Sequence, residues 1–247
     1  MHILPVLCLT VAALLATPHR LIGTEALPVL PPDHLSDWPA IGRVNRADFD
    51  TRGFCTGTLI TPDIVLTAAH CTPTEITLDP DRPQDTRHIF VAGWLRDTNR
   101  GFRNIIGGAR HPAYGLGGKH DPRFDIGLLF LDTPFDDIAP MTLQDPPFQP
   151  QLTSVAMIGY HQRRPFALSG NLDCPVLRFT DKVARVGCPV VSGNSGGPVL
   201  QQTPDGAWEI VAVVSSTVPP NALVTRLNDW VWSSLTLHPN HTPDPAQ

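Results

Sequence analysis

The sequence predicts a mostly β fold, because short apolar runs recur along it without a long helical periodicity. These runs cover residues 54–60, 64–68, 88–94, 104–107 and 126–131, and, in a second series, residues 154–160, 177–179, 183–187, 198–200 and 208–214. Runs of this length that end at Gly, Pro and other turn residues are typical of an antiparallel barrel or sandwich. A Pro-rich connector over residues 132–151 divides the two series. The pattern alone therefore predicts an all-β protein, as one large domain or two small ones.

Composition and charge restrict the classes of partner. The chain has 247 residues, of which 42% are hydrophobic and 17% charged, which is enough for a sizeable core. Its net charge of -5 offers no basic patch for a phosphate backbone. Nucleic acid is therefore not an expected partner.

The N-terminal segment is predicted to be a signal peptide. Residues 3–16 are apolar with few interruptions, and this run is too short to span a bilayer as a helix. We expect residues 1–26 to contain the signal, with cleavage after Ala16 or Ala26. The mature protein is then expected to be secreted or periplasmic, without membrane association. Residues 27–37 are Pro-rich and lack periodicity, which indicates a propeptide or an extended N-terminal arm.

The end of the folded part is predicted to be helical. Five residues fall at helical spacing there, namely Leu223, Leu227, Trp230, Val231 and Ser234. This spacing predicts a helix over residues 223–235. Residues 236–247 are polar and contain prolines, so we expect them to form a disordered tail.

A serine surrounded by glycines lies between two apolar runs in the second half of the chain. Residues 190–200 place Ser195 among Gly193, Gly196 and Gly197. Glycines let the backbone turn tightly, so such a loop can expose Ser195 Oγ and aim the N–H groups of Gly193 and Ser195 at one point. The loop suits a nucleophilic serine with an oxyanion hole, although an ordinary Gly-rich hairpin turn has the same composition.

Two further segments supply the partners that a nucleophilic serine needs. A base must accept its proton, and a buried carboxylate must orient that base. His70 ends one apolar run, and Asp125 leads another over residues 126–131, where an unpaired charge would be costly. Asp121 precedes a proline in a polar loop and Asp132 follows the second run, so both are weaker candidates.

Three segments, in this order, resemble the chymotrypsin/trypsin-like serine peptidases. They are Thr-Ala-Ala-His-Cys at residues 67–71, Asp-Ile-Gly-Leu-Leu at 125–129 and Gly-Asn-Ser-Gly-Gly-Pro at 193–198. The Gly-Asn-Ser-Gly motif is similar to that of the bacterial glutamyl-endopeptidase branch. Any one of these matches is weak, but three in the order of the family make a specific signal.

The resemblance implies the architecture of the chain. It covers residues 38–235, which would form one peptidase domain of two antiparallel six-stranded β-barrels with a C-terminal helix. Barrel one would span about residues 38–135 and barrel two about residues 150–222. The catalytic residues would lie at the seam between the barrels.

The resemblance also implies a role for each site residue. Ser195 would be the nucleophile, His70 the general base and Asp125 the residue that orients His70. The Gly193 and Ser195 amides would form the oxyanion hole. Ser215, at the end of an apolar run, would support Asp125 through its hydroxyl.

The resemblance places the primary specificity pocket between the loop that precedes Ser195 and the two segments around residues 214–217 and 222–224. Its residues would be Pro189, Val190, Ser192, Val214, Ser215, Thr217, Ala222 and Val224. Arg or Lys would find no counter-charge in this set, and Glu would find apolar Val190 and Val214 in place of donors. We therefore expect a small or medium uncharged residue before the scissile bond.

The chain departs from many relatives in two features that belong together. It has no Ile-Val-Gly-Gly segment, and Asn194 stands where those relatives carry an aspartate. An N-terminal ammonium would gain little by insertion without a carboxylate partner. We expect activation, if the chain is a zymogen, to occur by removal of a blocking propeptide instead.

The cysteines agree with an exported protein. Cys8 would leave with the signal peptide, and the remaining four cysteines allow three pairings. We favour Cys55–Cys71, beside His70, and Cys174–Cys188, before the nucleophile loop. Each bridge would close a loop for which chain-entropy models give about 3 kcal/mol.

The sequence is thus read as a secreted serine endopeptidase that acts on protein or peptide substrates as a monomer. No cofactor is expected, and no histidines or cysteines stand at a spacing that calls for a metal. The alternative is a catalytically silent, protease-like scaffold, for which the Asn194 departure is the sequence support.

Overall fold

Twelve strands close into two six-stranded antiparallel barrels, as expected. The computed structural model describes residues 26–46, 49, 53–73, 87–117, 120–145 and 153–236. The predicted signal peptide up to residue 25 and the predicted tail from residue 237 lie outside the described residues. Within the described ranges, no helix is both long enough and apolar enough to cross a membrane.

Barrel one is built from the first series of apolar runs. Its strands are β1 (Ile41–Asn45), β2 (Cys55–Leu59), β3 (Ile64–Thr67), β4 (Ile89–Ala92), β5 (Phe102–Arg110) and β6 (Gly127–Leu131). They are hydrogen-bonded in the order β1-β2-β3-β6-β5-β4 around the closed barrel. All residues of β1 to β4 are buried, and β3 and β4 therefore appear in the sequence as short, nearly continuous apolar runs.

Barrel two is built from the second series. Its strands are β7 (Ser154–His161), β8 (Arg164–Phe179), β9 (Val183–Val186), β10 (Pro198–Gln202), β11 (Trp208–Val218) and β12 (Asn221–Arg226). They are hydrogen-bonded in the order β10-β11-β12-β9-β8-β7. One α-helix, α1 (Asp229–Thr236), follows the barrel.

Two sequence expectations need correction. The helix predicted over residues 223–235 begins only at Asp229, because Asn221–Arg226 is strand β12 and pairs with β9 and β11. The four-residue spacing of Leu223 and Leu227 was therefore misleading, and the second barrel extends beyond residue 222. Asn228 Oδ1 accepts the Trp230 N–H at 3.2 Å, which caps the start of the real helix.

Strand β8 is also much longer than the predicted run. It has 16 residues, whereas the sequence pattern indicated only residues 177–179. Exposed and half-buried residues alternate irregularly along Arg164–Phe179, so no continuous apolar run marks its first part. The register of β7 against β8 shifts at two points, which further obscures a period of two.

The segment before the first strand is part of barrel two's surface. Leu27 and Leu30 are only 1% and 2% exposed. The Leu30 N–H donates to Leu168 O at 3.0 Å, and the Gly170 N–H donates to Pro28 O at 2.8 Å. These bonds extend the sheet beside β8, so the segment lies against the barrel as an arm.

Two buried polar side chains connect the barrels near the site. The Tyr160 hydroxyl on β7 donates to Trp94 O of barrel one at 3.0 Å. Arg43 on β1 is fully buried, donates to Pro165 O at 3.2 Å and lies over the ring of Phe54 at 4.2 Å. The hydrogen bonds to Trp94 O and Pro165 O cross the seam, so they fix the two barrels relative to each other, while Phe54 holds the Arg43 side chain within barrel one.

Both predicted disulfides are confirmed. Cys55 is bridged to Cys71 and Cys174 to Cys188. The first bridge joins β2 to the turn that carries His70. The second precedes the loop that carries Ser195. Disulfides of this kind are typical of proteins exported to an oxidising compartment.

Candidate active site

His70 lies in a short 3₁₀ turn, Ala69–Cys71, that follows β3 directly. Ala69 and Cys71 are buried and the second is disulfide-bonded, so the turn is fixed on both sides. The His70 side chain itself is 27% exposed. One edge of the imidazole therefore faces the protein while the other is open to a substrate.

Asp125 lies immediately before β6, and its side chain is completely buried. Its Oδ1 accepts the backbone N–H of His70 at 3.0 Å, and its Oδ2 lies 2.8 Å from His70 Nδ1. Burial alone would raise the pKa of Asp125, but the bonds and charge of His70 and the Ser215 hydroxyl outweigh it and hold the pKa below its ordinary value. An ionised Asp125 fixes the Nδ1–H tautomer of His70 and leaves Nε2 free to accept a proton.

Ser215 reaches Asp125 from the other barrel. Its Oγ donates to Asp125 Oδ2 at 2.6 Å, and the residue is 2% exposed. The register of β11 against β12 shifts between Val214 and Ser216, so Ser215 sits in a β-bulge. A bulge turns a side chain away from the regular alternation of a strand, and here the seryl hydroxyl meets the carboxylate across the seam.

Ser195 occupies a loop of barrel two between β9 and β10. Its carbonyl accepts the N–H of Thr56 on β2 at 2.8 Å. A Cβ on Gly196 would come within 2.1 Å of Thr67 Oγ1 and 2.9 Å of Ala68 N. The loop thus packs closely against the strand end that leads to His70, and this approach requires a glycine.

In the loop that carries Ser195, two backbone amides have no acceptor among the described residues. The N–H groups of Asn194, Gly196 and Gly197 donate to backbone carbonyls at 3.0, 2.7 and 2.9 Å. No group in the described ranges accepts from the N–H of Gly193 or of Ser195. Gly193 has φ +98°, a backbone conformation that other residues rarely adopt. Two unpaired amides beside Ser195 Oγ are what a developing oxyanion requires.

Ser195 Oγ forms no hydrogen bond with His70 in the part of the chain that the structure describes. In substrate-free enzymes this contact is often long and tightens only when the substrate is bound. The fixed elements of the site are therefore the His70–Asp125–Ser215 hydrogen bonds and the open amides of the loop.

Thr56 is a site residue that no sequence pattern indicated. Its Oγ1 donates to Gly193 O at 2.7 Å and accepts the Tyr160 N–H at 2.9 Å. Its own carbonyl accepts from Thr67 Oγ1 at 2.8 Å. Because Thr56 belongs to barrel one and Gly193 to barrel two, this one side chain fixes the loop that carries Ser195 across the seam.

Replacing Thr56 by valine is expected to lower kcat by about 10- to 100-fold and to destabilise the protein by about 1–3 kcal/mol, because Gly193 O and the Tyr160 amide lose their partner. The matched control is Thr58→Val on the same strand. Thr58 Oγ1 is buried and has no hydrogen-bond partner among the described residues. Equal effects of the two variants on kcat would contradict the role of Thr56.

Asn194 is satisfied by internal hydrogen bonds. The residue is 1% exposed, its Nδ2 donates to Tyr160 O at 2.9 Å and its Oδ1 accepts the Val191 N–H at 2.9 Å. A neutral amide with one donor and one acceptor partner needs no ammonium beside it. The loop is therefore held without a charged partner.

Changing Asn194 to aspartate is expected to lower the free energy of unfolding by about 2–4 kcal/mol at neutral pH, since a buried carboxylate oxygen would then face Tyr160 O. Denaturant titration measures this loss. Asn99→Asp is the matched control, because Asn99 is exposed and its Oδ1 accepts the Gly101 N–H, a bond that a carboxylate keeps. An Asn194 variant as stable as the control would be the contrary result.

The residues expected to form the specificity pocket fall into two groups. The apolar members belong to one core cluster and are nearly inaccessible, namely Val190, Val214, Ala222 and Val224. On the two strands, Val214 pairs with Val224 and Thr217 with Ala222. Ser192 and Thr217 are exposed, and Pro189 is half-buried. The apolar members thus pack together in the core, and the exposed members lie at the surface.

Two further histidines lie outside the predicted site. His161 is the last residue of β7 and is only 8% exposed. His120 lies in an exposed loop, and its Nε2 is 3.4 Å from Asp125 Oδ2 while its Nδ1 is 2.9 Å from Tyr114 Oη. Only the folded chain brings His120 to this carboxylate. Asp121 pairs with Arg123 at 2.7 Å, as a solvated loop residue would.

Comparison with known proteins gives a consistent result. The family model for the trypsin-like peptidase domain matches residues 55–213. A lectizyme of Glossina austeni is 26% identical over 215 residues, which cover 73% of this chain and 74% of that protein. The solved structure of a Glu endopeptidase superposes with a TM-score of 0.67 at 17% identity, covering 86% of this chain and 95% of the other.

Proposed function

The chain belongs to the trypsin-like peptidase family and is a serine endopeptidase, and we propose that Ser195, His70 and Asp125 carry its reaction. The observation that carries this assignment is the buried Asp125 carboxylate, which accepts hydrogen bonds from His70 and Ser215 at 2.8 and 2.6 Å. Burial of a carboxylate is costly unless hydrogen bonds compensate it. A buried, hydrogen-bonded carboxylate beside a partly exposed imidazole is the arrangement that orients a catalytic base.

In the proposed reaction, Ser195 Oγ attacks the scissile carbonyl carbon while His70 Nε2 accepts the hydroxyl proton. The carbonyl oxygen becomes an oxyanion that the Gly193 and Ser195 amides stabilise. His70 then gives the proton to the leaving amine, the C–N bond breaks and an acyl-enzyme remains. A water molecule repeats the attack on the ester, with His70 again taking and returning the proton.

The proposed preference is for a small or medium uncharged residue before the scissile bond. Its support is the apolar cluster formed by Val190, Val214, Ala222 and Val224, which offers no donor to a carboxylate and no charge to a cation. The same cluster gives no reason to assign the specificity in the name of the Glu endopeptidase neighbour to this chain.

Cleavage of a proteome-derived peptide library, read by mass spectrometry, tests this preference. Products should end mainly in Ala, Val, Thr, Ser or Leu, and the Ser195→Ala protein should generate none of them. A majority of products ending in Arg, Lys or Glu would show that the pocket has been assigned wrongly.

The protein is proposed to be secreted or periplasmic and to keep residues 27–35 after maturation. Support for retention comes from Leu27 and Leu30, which are 1% and 2% exposed against barrel two. Removing them would expose apolar core surface at a cost of about 1.5–3 kcal/mol for each side chain. N-terminal sequencing of the exported protein should therefore find its first residue at or before Leu27; a start beyond Leu30 would rule out the arm.

The silent-scaffold alternative loses its one sequence argument. Asn194 has internal partners for both ends of its amide, so the absence of an aspartate there does not leave the nucleophile loop unsupported.

A further inference from the structure

We propose that His70, His120 and Asp125 form an inhibitory binding site for Zn²⁺. One ligand atom from each of the three residues lies within 4.8 Å of the other two. Imidazole and carboxylate are preferred zinc ligands. The inhibitory part of the proposal rests on the proposed function, because zinc would occupy two residues of the catalytic set.

The distances suit a tetrahedral ion. His70 Nδ1 and His120 Nε2 lie 2.8 and 3.4 Å from Asp125 Oδ2. Ligand bonds of about 2.0–2.2 Å at tetrahedral angles separate neighbouring donor atoms by about 3.4 Å. A small outward shift of the two imidazole rings is thus sufficient to make room for the ion. Water can supply the remaining ligand.

The site can be reached from solvent. The side chains of His70 and His120 are 27% and 41% exposed, although Asp125 is fully buried. Their rings meet edge to face, with centroids 5.3 Å apart, so an ion enters by separating two partly exposed rings.

Tyr114 supplies the second contact that a zinc-binding histidine usually has. Its hydroxyl lies 2.9 Å from His120 Nδ1 and can either donate or accept. Without metal, the Tyr114 hydroxyl donates to Nδ1 while the Nε2–H of His120 faces Asp125. With metal, Nδ1–H donates to Tyr114 Oη and the Nε2 lone pair is directed at the ion.

Zinc binding and catalysis exclude each other chemically. An ion between His70 Nδ1 and Asp125 Oδ2 binds the Nδ1 lone pair of a neutral imidazole, so the ring proton moves from Nδ1 to Nε2. With Nε2 protonated and the carboxylate bound to the ion, His70 can no longer accept the proton of Ser195. His70 and His120 are far apart in sequence, so the spacing of histidines along the chain does not predict this site.

Calorimetric titration of the Ser195→Ala protein with ZnCl₂ tests the site independently of peptidase activity. We expect one ion per chain, and an affinity at least tenfold lower after His120→Ala is added. His34→Ala is the matched control, because His34 is also exposed and lies 3.0 Å from an aspartate, Asp37. Equal zinc affinities in the His120 and His34 variants would overturn the proposal.

Tyr114→Phe provides a second variant that keeps the ring and both histidines. It should weaken zinc binding by about tenfold, with its thermal transition showing that the protein is folded. Unchanged affinity in this variant together with unchanged affinity in His120→Ala would place the bound zinc elsewhere and refute the site.

In the active protein, zinc should inhibit peptide hydrolysis reversibly, with recovery on adding EDTA. The inhibitory concentration, taken relative to the zinc-free rate of each variant, should rise at least tenfold in His120→Ala. An active peptidase that zinc inhibits equally with and without His120 would refute the inhibitory role. Zinc binding through His120 in a chain that hydrolyses no peptide would instead refute the proposed function and leave the site intact.

Discussion

Replacing Ser195 by alanine is expected to lower kcat by about 10⁵-fold or more, because no covalent acyl-enzyme can form without its hydroxyl. The backbone of the loop should not change, since Ser195 is anchored through its carbonyl to the Thr56 amide at 2.8 Å. The unfolding midpoint should therefore stay close to that of the wild type while activity disappears.

Single-turnover and steady-state hydrolysis of a chromogenic peptide measure this loss. Ser233→Ala is the matched control, because Ser233 lies exposed on helix α1 and should keep the full rate. A Ser195 variant that retained more than about one hundredth of the wild-type kcat would exclude Ser195 as the nucleophile.

Asp125→Asn is expected to lower kcat by about 10⁴-fold at neutral pH. An amide in this position offers an N–H to His70 Nδ1, which stabilises the wrong tautomer and leaves Nε2 protonated. Ser215→Ala should cost far less, about tenfold, because Asp125 keeps both of its bonds to His70 at 2.8 and 3.0 Å. Comparable losses in the two variants would contradict the orienting role of Asp125.

The same residue should contribute to acid stability. The pKa of Asp125 is held below its ordinary value in the folded protein, with burial opposing and His70 and Ser215 lowering it. The stabilisation that follows is fully present above the unfolded-state pKa of about 3.9 and is lost as the pH falls through the folded-state pKa. Urea unfolding at pH 2–6 should show that Asp125→Asn removes part of the acid-side slope; an unchanged slope would argue against this linkage.

Several strands of the barrels were predictable from local signals. A fully buried strand such as β3 or β4 appears as a nearly continuous apolar run, and a strand end before a cysteine marks the turn at His70. The order of the three motifs then supplied the two-barrel topology, which the periodicity of apolar residues alone does not distinguish from a sandwich.

Several contacts across the seam have no local signal in the sequence. The resemblance implied that the Ser215 hydroxyl supports Asp125, but no pattern shows the bulge that directs the hydroxyl to this carboxylate. Thr56 lies in a short strand with no sign that its hydroxyl meets Gly193 in the other barrel. His120 approaches Asp125 only through the fold of its loop.

The ends of strands and helices were also not predictable from the sequence pattern. Residues 221–226 carry spacing that fits both a strand and the start of a helix, and pairing with β9 decides for the strand. The first part of β8 has no apolar alternation because its residues are of mixed exposure. In both cases tertiary hydrogen bonds outweigh the local pattern.

The intact mass of the exported, disulfide-bonded protein after treatment with a fluorophosphonate shows most directly whether Ser195 is an activated nucleophile. We expect one adduct on the wild type and none on Ser195→Ala, because only a serine activated by a neighbouring base reacts at neutral pH. An unmodified wild-type mass, or the same adduct on both proteins, would contradict the assignment of Ser195 as the activated nucleophile.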